Sequence, residues 1–259
     1  MQGVRHCPPE GLVGISTRPR LEPVSDDRRR RAPSAIVFDL FGTLIPSGNR
    51  EERDAVSRSV ADVLGVDREG LSAAFRDTFD RRTLGELGDL PHTLALFAER
   101  LGASPSATQI DEATALRVGF TGGLLQATWA LPLVEHLHAA GFPLALVSDC
   151  SAEVPMLWPQ SDLASAFSAS AFSCTLGIRK PAPEMYLHAT RQLGVDPTNC
   201  LYVGDGGSDE LAGAAELGMT AVLYTPEGGS GAMDAQTTWP GRRITSLEEL
   251  RDPEVRAVF

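Results

Sequence analysis

Four short polar segments of this 259-residue chain carry side chains that could attack or bind an anionic group. The first, residues 39–43 with the sequence DLFGT, places the carboxylate of Asp39 before a glycine turn. The second is the pair Ser148-Asp149, the third contains Lys180, and the fourth, residues 204–210, reads GDGGSDE. A carboxylate nucleophile, hydroxyl and amide donors and an ammonium group are the groups required for nucleophilic attack on an anionic substrate.

Asp39 is the candidate nucleophile of this set. Ser148 and the amides of the turn at Gly42 could hold phosphoryl oxygens, and Lys180 could neutralise charge between the nucleophile and a bound phosphate. Carboxylates of residues 204–210, together with Asp39, could bind a hard cation such as Mg2+ through oxygen ligands. Such a cation would also reduce the repulsion between Asp39 and an incoming phosphate, because the fourth segment is itself acidic.

Lys180 is the one lysine of the chain, which otherwise carries its positive charge on 22 arginines. An ammonium group is a compact point charge and a guanidinium group is a planar fork, so the two are not interchangeable at a tight site. The competing interpretation is that Lys180 is a solvated lysine retained by chance. Each acidic segment also has a structural alternative, because an Asp or Gly-Asp after a strand is often only a helix cap or a turn. Four such segments in this order favour a functional site.

The segments require a scaffold that brings them together. Apolar runs at residues 35–38, 144–147, 201–203 and 221–224 are predicted strands, and helix-period segments lie between them. Alternating strands and helices indicate an α/β fold with a Rossmann-like parallel sheet, in which ligands bind beyond the carboxyl ends of the strands. The first three predicted strands end directly before polar segments, so we expect the site at that edge of the sheet.

Residues 49–127 interrupt this alternation with helix-period segments and no convincing strand. We therefore predict three parts: a disordered, basic, proline-containing tail at residues 1–33, a core domain formed by residues 34–48 and 128–259, and a helical insertion at residues 49–127. The glycine-rich stretch at residues 228–231 is predicted to be a flexible loop.

Charge and cysteine usage restrict the possible partners. The formal net charge is -11, and residues 34–259 carry 30 acidic against 16 basic side chains, which argues against nucleic acid as a partner. Arginines 28–31 form a basic run, predicted to be a solvated part of the tail. Four cysteines without CxxC spacing indicate a reducing compartment, and no apolar run predicts a membrane span, so we expect a cytoplasmic protein, monomeric or dimeric.

The order of the four segments resembles that of the haloacid dehalogenase superfamily, over roughly residues 34–225. The resemblance implies a Rossmann-like core, and the insertion at residues 49–127 is similar to the helical cap of one subclass. By this likeness Asp39 is the nucleophile and Lys180 the motif lysine, and Ser148 and Thr43 contact the transferred group. Asp149, beside Ser148, is a further candidate for substrate binding.

The same resemblance implies a metal site. Asp205 and Asp39 would bind Mg2+, with the backbone carbonyl of Phe41 as another ligand. Glu210 lies where the last acidic residue of the fourth motif is expected, and Asp209 is a close competitor. The substrate implied is a small phosphorylated metabolite.

Phe41 departs from the pattern of the superfamily's phosphatases, which normally have a second Asp at this position. That residue protonates the leaving alkoxide and later activates water, and general acid–base catalysis is typically worth ~10²–10⁴ in rate. A phenyl ring supplies none of this. Ester cleavage would require another acid, such as Asp149 or a cap residue, or a leaving group that departs without a proton, such as that of an acyl phosphate.

Three functions are compatible with Phe41. We rank a Mg2+-dependent phosphatase first and a catalytically silent protein that binds a phosphorylated ligand or a partner second. A metal-independent 2-haloacid dehalogenase is third, since halide leaves unprotonated and those relatives carry an aromatic residue at this place. Two features oppose the dehalogenase. Asp149 stands where dehalogenases have Asn, and residues 204–210 are acidic.

The predicted insertion also contains arginines that could contact an anionic substrate. Solvated helix faces are the alternative interpretation of each of them. The candidates are Arg50, Arg53, Arg81 and Arg82.

Overall fold

A computed structural model describes residues 33–226 and 239–252 of the chain. Its core is a six-stranded sheet in which every neighbouring pair of strands is parallel. The strands are β1 (Ala35–Phe38), β2 (Leu144–Ser148), β3 (Ala169–Phe172), β4 (Cys200–Gly204), β5 (Thr220–Tyr224) and β6 (Arg242–Ile244). The predicted tail and the glycine-rich stretch at residues 228–231 lie outside the described residues, apart from residue 33.

The strand order is β3-β2-β1-β4-β5-β6, which puts β1 at the centre between β2 and β4. In register, Phe38 of β1 lies beside Leu146 of β2 and Val203 of β4. Because all strands run the same way, the segments that follow β1, β2 and β4 leave the sheet at the same edge. The predicted α/β class with a parallel sheet is confirmed.

Both faces of the sheet are covered, which explains the continuous apolar runs in its strands. Ile36 and Phe38 belong to one hydrophobic cluster, and Ala35 and Val37 belong to the cluster on the opposite face. The helices of this part are α6 (Leu131–Ala139), α7 (Glu153–Leu157), α8 (Ser173–Leu176), α9 (Pro183–Leu193) and α10 (Glu210–Glu216). Short 3-10 turns lie at Trp158–Gln160, Ala164–Ala166, Pro197–Asn199, Gly207–Asp209 and Leu247–Arg251.

Six helices lie between β1 and β2, and the first five of them form what we call the helical insertion. They are α1 (Arg50–Leu64), α2 (Arg68–Asp77), α3 (Phe79–Thr83), α4 (Leu90–Arg100) and α5 (Ala107–Gln126). The insertion has its own hydrophobic cluster, in which Phe75 meets Phe97 edge to face. Asn49 and Ser106 start α1 and α5 with reciprocal capping boxes, which satisfy backbone amides that the first helical turn leaves free.

The strands that the apolar runs predict are β1, β2, β4 and β5, with differences of at most one residue at each end. The edge strands β3 and β6 were missed. Strand β3 has the sequence ASAF, which consists of small residues and one phenylalanine. Strand β6 has two arginines in three residues. Neither strand therefore shows the apolar run that predicts a strand. Within the described residues, no helix is long and apolar enough to cross a membrane.

Candidate active site

Asp39 lies directly after β1, where the central strand ends. Its backbone amide donates to the carbonyl of Val203 in β4 at 2.9 Å, so the sheet hydrogen bonding extends to this residue. Both carboxylate oxygens have partners. Lys180 Nζ donates to Oδ1 at 2.5 Å, and Thr43 Oγ1 donates to Oδ2 at 3.0 Å. The carboxylate is thus held in one orientation at the carboxyl edge of the sheet.

Lys180 also donates to Glu210 Oε2 at 2.6 Å. All three side chains are almost completely buried. Burial disfavours the charged lysine, but the adjacent Asp39 and Glu210 carboxylates raise its pKa well above the usual range. Lys180 is therefore a permanent positive charge between the first and fourth segments, which sequence reasoning had linked to Asp39 and a substrate but not to Glu210.

Glu210 is fixed by more partners than any sequence pattern indicated. Tyr202 Oη donates to Oε2 at 2.8 Å, the backbone amide of Gly206 donates to Oε1 at 2.9 Å, and Tyr186 Oη donates to the Glu210 carbonyl at 2.9 Å. Tyr202 lies inside the predicted strand at residues 201–203 and was not among the candidate site residues. Side chains alternate between the two faces of a strand, so Tyr202 lies on the face opposite to Leu201 and Val203. This alternation was the only feature of the sequence that set Tyr202 apart from its neighbours.

Asp39, Asp205 and Glu210 form a buried cluster in which one carboxylate oxygen from each residue lies within 4.8 Å of the others. Burial raises the pKa of Asp39 to about 7, although Lys180 opposes this shift, and burial likewise raises the pKa of Glu210. Three carboxylates against one lysine leave excess negative charge in a dry environment. Oxygen donors at this spacing suit a hard divalent cation, which would lower both pKa values.

Two glycines permit this close approach. Gly42 has φ +80°, a left-handed conformation that favours glycine, and a Cβ there would collide with the carboxylate of Asp205. A Cβ on Gly204 would collide with the carboxylate of Glu210. Asp209, in contrast, is exposed and lies outside the carboxylate cluster. The geometry therefore brings Glu210, and not Asp209, to Asp39 and Asp205.

The second segment supplies one free hydroxyl and one positioning carboxylate. Ser148 ends β2, is fully buried, and its Oγ has no hydrogen-bond partner among the described residues. Asp149 Oδ1 accepts from the backbone amide of Lys180 at 3.0 Å, and Oδ2 accepts from Arg179 Nε at 3.4 Å. Asp149 thus fixes the segment that carries the lysine, and Arg179, which sequence reasoning passed over, extends this link by an ion pair with Asp80 of α3.

A family model described as haloacid dehalogenase-like hydrolase matches residues 33–218. The chain belongs to this family. Glyceraldehyde 3-phosphate phosphatase of Methanopyrus kandleri is 26% identical over 73% of this chain and 82% of its own length. Hexitol phosphatase B of Escherichia coli K12 is 26% identical over 83% of this chain and 93% of its own length.

Among solved structures, a 2-haloacid dehalogenase from Pseudomonas syringae pv. tomato is 28% identical, with a TM-score of 0.63. The match covers 86% of this chain and 97% of that chain. Relatives of this haloacid dehalogenase-like hydrolase therefore include both phosphatases and a dehalogenase. The residues on which these two reactions depend differently therefore determine which chemistry this chain performs.

Phe41 is the residue of this hydrolase that bears most on that choice. Its ring is partly buried and packs against the hydrophobic cluster that contains Phe38. It offers no proton to a leaving group. Asp149 is tied to the Lys180 amide and to Arg179, so its carboxylate is engaged in positioning.

The arginines of the helical insertion fall into two groups. Arg50 and Arg81 are exposed and pair with Asp54 and Glu86, as expected for solvated helix faces. Arg53 donates to the carbonyl of Ser47, after β1, at 2.9 Å. Arg82 is partly buried. It donates to Ser151 Oγ, after β2, at 3.3 Å, and desolvation lowers its pKa to about 10.

Arg117 of α5, which sequence reasoning missed, joins the second group. Its guanidinium lies over the Phe75 ring at 4.5 Å from the centroid, and that of Arg82 lies over the same ring at 5.2 Å. Arg117 also forms a buried ion pair with Glu153 at 3.3 Å. The positive charge of Arg117 also contributes to lowering the pKa of both Arg53 and Arg82. The three arginines thus connect the segments that follow β1 and β2, and we call them the arginine arc. An arginine inside an apolar helical face was the available signal for Arg117.

Proposed function

We propose that this hydrolase is a Mg2+-dependent phosphohydrolase that acts on a small phosphorylated metabolite through an aspartyl-phosphate on Asp39. The observation that carries the proposal is the buried group of Asp39, Asp205 and Glu210 around a single lysine. Its excess negative charge would repel a phosphate, so the arrangement suits a substrate that binds together with a divalent cation. The phosphatases among the relatives support the same reaction class.

The residues fit Mg2+ as a resident cofactor. Asp39, Asp205 and the main-chain carbonyl of Phe41 would hold the ion, because all three offer hard oxygen donors. Glu210 accepts from Lys180, Tyr202 and the Gly206 amide, which suits it to orienting the site from behind these ligands. When bound, Mg2+ would supply charge neutralisation and polarise a phosphoryl oxygen.

In the proposed reaction, one oxygen of Asp39 attacks phosphorus, an O–P bond forms, and the bond from phosphorus to the leaving-group oxygen breaks. Thr43 holds the carboxylate in position, and Lys180 stabilises the negative charge that moves onto the phosphoryl oxygens. The Ser148 hydroxyl, which has no hydrogen-bond partner among the described residues, would donate to one of those oxygens. Water then hydrolyses the acyl phosphate, which releases phosphate and returns Asp39.

Phe41 restricts the substrate class. Without an acid beside the leaving group, cleavage of an ordinary alkyl ester is slow, whereas an acyl phosphate releases a stable carboxylate. We further propose that the helical insertion is a cap whose arginine arc contacts an anionic leaving group. The arc's links to Ser47 and Ser151, which follow the strands that carry the site, support this placement.

The test is phosphate release by the purified full-length protein from acetyl phosphate and p-nitrophenyl phosphate. We expect activity with Mg2+, loss of activity after chelation, recovery when Mg2+ is restored, and no activity in Asp39→Asn. Turnover that is unaffected by chelation would contradict the proposal. Thr198→Ala, at an exposed turn outside the four segments, is a control that should retain activity.

A 2-haloacid dehalogenase is the second candidate, favoured by Phe41 and by the dehalogenase structure at 28% identity. Its nucleophile would be the same Asp39, with halide leaving unprotonated. The buried Asp205 and Glu210 carboxylates oppose it, since a carboxylate substrate without a cation would be repelled. Chloride release from 2-chloropropionate after chelation would favour this candidate. A catalytically silent protein gains no support, because a non-catalytic fold has no need of the desolvated Asp39–Lys180 pair.

A further inference from the structure

Two cysteines lie side by side where β2 and β3 end. The strands are parallel, with Ser148 beside Phe172, so the chain positions two residues further on are Cys150 and Cys174. Their backbones are linked through Ser173, whose Oγ accepts from the Cys150 amide at 2.9 Å and donates to the Cys150 carbonyl at 3.3 Å. The two thiol groups also influence each other's pKa, as expected for neighbouring side chains.

The spacing is compatible with a disulfide. Neighbouring strands of a sheet lie ~4.8 Å apart. Disulfide-bonded cysteines have Cα atoms about 4.4–6.8 Å apart. The Ser173 hydrogen bonds keep the two chain segments together beyond the last paired residues of the strands. A bond between the sulfur atoms therefore requires local adjustment and no rearrangement of the sheet.

The two thiols have different chemical environments. Cys150 is buried, and burial raises its pKa well above the usual range. Cys174 is partly exposed, and the neighbouring Cys150 thiol lowers its pKa. Reactive thiols combine access with thiolate character, and a sensing cysteine is often next to a second cysteine that resolves the oxidised form. Cys174 has the properties of the attacking thiol and Cys150 those of the resolving thiol.

We propose that Cys150 and Cys174 are a reversible oxidation site that forms an intramolecular disulfide with a hydroperoxide as oxidant. The Cys174 thiolate attacks the peroxide, the O–O bond breaks, and a sulfenic acid forms with release of water or an alcohol. The Cys150 thiol then attacks the Cys174 sulfur, the S–OH bond breaks, and a second molecule of water leaves. Sulfur loses two electrons in total, the peroxide gains them, and a dithiol reductant reverses the reaction.

Oxidation at this site would act on the catalytic segment. Cys150 directly follows Asp149, whose Oδ1 holds the backbone amide of Lys180 at 3.0 Å. A disulfide that draws Cys150 toward Cys174 would move Asp149, and with it the lysine that contacts Asp39. This consequence rests on the proposed function, whereas disulfide formation does not. We expect turnover to fall by about tenfold or more, because a displacement of ~1 Å in a catalytic site can cost ~100-fold.

The experiment exposes full-length protein to a small molar excess of hydrogen peroxide, blocks remaining thiols, and maps peptides by mass spectrometry without reduction. We expect a cross-linked peptide pair containing Cys150 and Cys174, which disappears after treatment with dithiothreitol. Cys200 is the internal control, because it is buried in β4 and burial raises its pKa. Cys200 should stay reduced. Absence of the Cys150–Cys174 cross-link while Cys174 is oxidised to sulfinic acid would overturn the proposal.

Cys174→Ser separates the disulfide from general oxidative damage. Cys174 is partly exposed, and serine keeps a small polar group there, so the variant should fold with an unchanged melting temperature. Peroxide should leave its turnover of acetyl phosphate unaffected, whereas wild-type turnover should fall and recover with dithiothreitol. Equal peroxide sensitivity of the two proteins would contradict the regulatory consequence. If neither protein hydrolyses acetyl phosphate, the phosphatase proposal fails. The peptide map would still show whether the disulfide forms.

Discussion

Lys180 donates to Asp39 across 2.5 Å in a region where both side chains are shielded from solvent. The same ammonium group donates to Glu210, so a single positive charge bridges a carboxylate that follows β1 and one at the start of α10. Removing it would leave buried negative charge without compensation. Loss of one partner of a buried ion pair typically costs about 3–5 kcal/mol, so Lys180 contributes to the stability of this site as well as to its chemistry.

We expect Lys180→Met to lose about 3–5 kcal/mol of unfolding free energy, and Lys180→Arg to lose almost all phosphatase activity. A guanidinium fork does not fit between two carboxylate oxygens that one nitrogen atom contacts at 2.5 and 2.6 Å. Denaturant unfolding and kcat/KM for acetyl phosphate measure the two effects. Arg81→Met is the control, since the Arg81–Glu86 pair is exposed. Near-normal turnover in Lys180→Arg would contradict a point-charge role.

Phe41 leads to a prediction about leaving groups. Across aryl phosphates of increasing phenol pKa, kcat/KM of the wild-type protein should fall steeply, because the leaving oxygen departs unprotonated. Phe41→Asp should raise the rate for the poorest leaving groups by up to ~10²–10⁴ and change the best ones little. Phe41→Leu controls for loss of the ring. A wild-type rate that is independent of phenol pKa would show that another group donates the proton, provided that P–O cleavage limits kcat/KM.

The acidic residues of the fourth segment should differ in their effect on metal binding. Asp205→Asn should abolish Mg2+-induced thermal stabilisation, and Glu210→Gln should weaken it, because Glu210 belongs to the buried cluster with Asp39 and Asp205. Asp209→Asn should bind Mg2+ like the wild-type protein, since Asp209 is exposed and outside that cluster. Melting temperature as a function of Mg2+ concentration distinguishes the variants. A larger loss in Asp209→Asn than in Glu210→Gln would reverse the assignment.

The sequence predicts that the site lies at one edge of the sheet, because parallel strands end at the same edge. This prediction requires only the apolar runs and the polar residues that follow them. It does not indicate the partners of those residues. The contact of Lys180 with Glu210 depends on how α10 begins, after the left-handed residues Ser208 and Asp209. The hydroxyl of Tyr202 likewise acquires its role from the fold, because a buried tyrosine in a strand is first of all a core residue.

The arginine arc should select substrates by charge. Arg82→Gln should reduce kcat/KM more for a phosphorylated compound that carries a second anionic group than for p-nitrophenyl phosphate, because the Nε of Arg82 is shielded from solvent and has no hydrogen-bond partner among the described residues. The change should lie mainly in KM. Arg50→Gln, on an exposed face, is the control. Equal losses for both substrates in Arg82→Gln would indicate a structural role instead.

The buried Arg117–Glu153 pair should make stability depend on pH in a defined direction. Burial opposes ionisation of Glu153, but Arg117 and local hydrogen bonds lower its pKa below the ordinary value of 4.5. A carboxyl group with a depressed pKa in the folded state contributes stability that is present above its unfolded pKa and lost as pH falls through its folded pKa. Arg117→Met should therefore destabilise strongly at pH 7, by about 3–5 kcal/mol.

The difference between Arg117→Met and the wild-type protein should shrink as pH falls below the ordinary pKa of 4.5, because the isolated Glu153 of the variant can then take up a proton. Denaturant unfolding at several pH values measures this. The double variant Arg117→Met with Glu153→Gln should recover much of the lost stability at pH 7, since neither position of the pair is then charged. If the single variant's deficit were the same at every pH, lost packing against Phe75, and not the charge of Glu153, would be its cause.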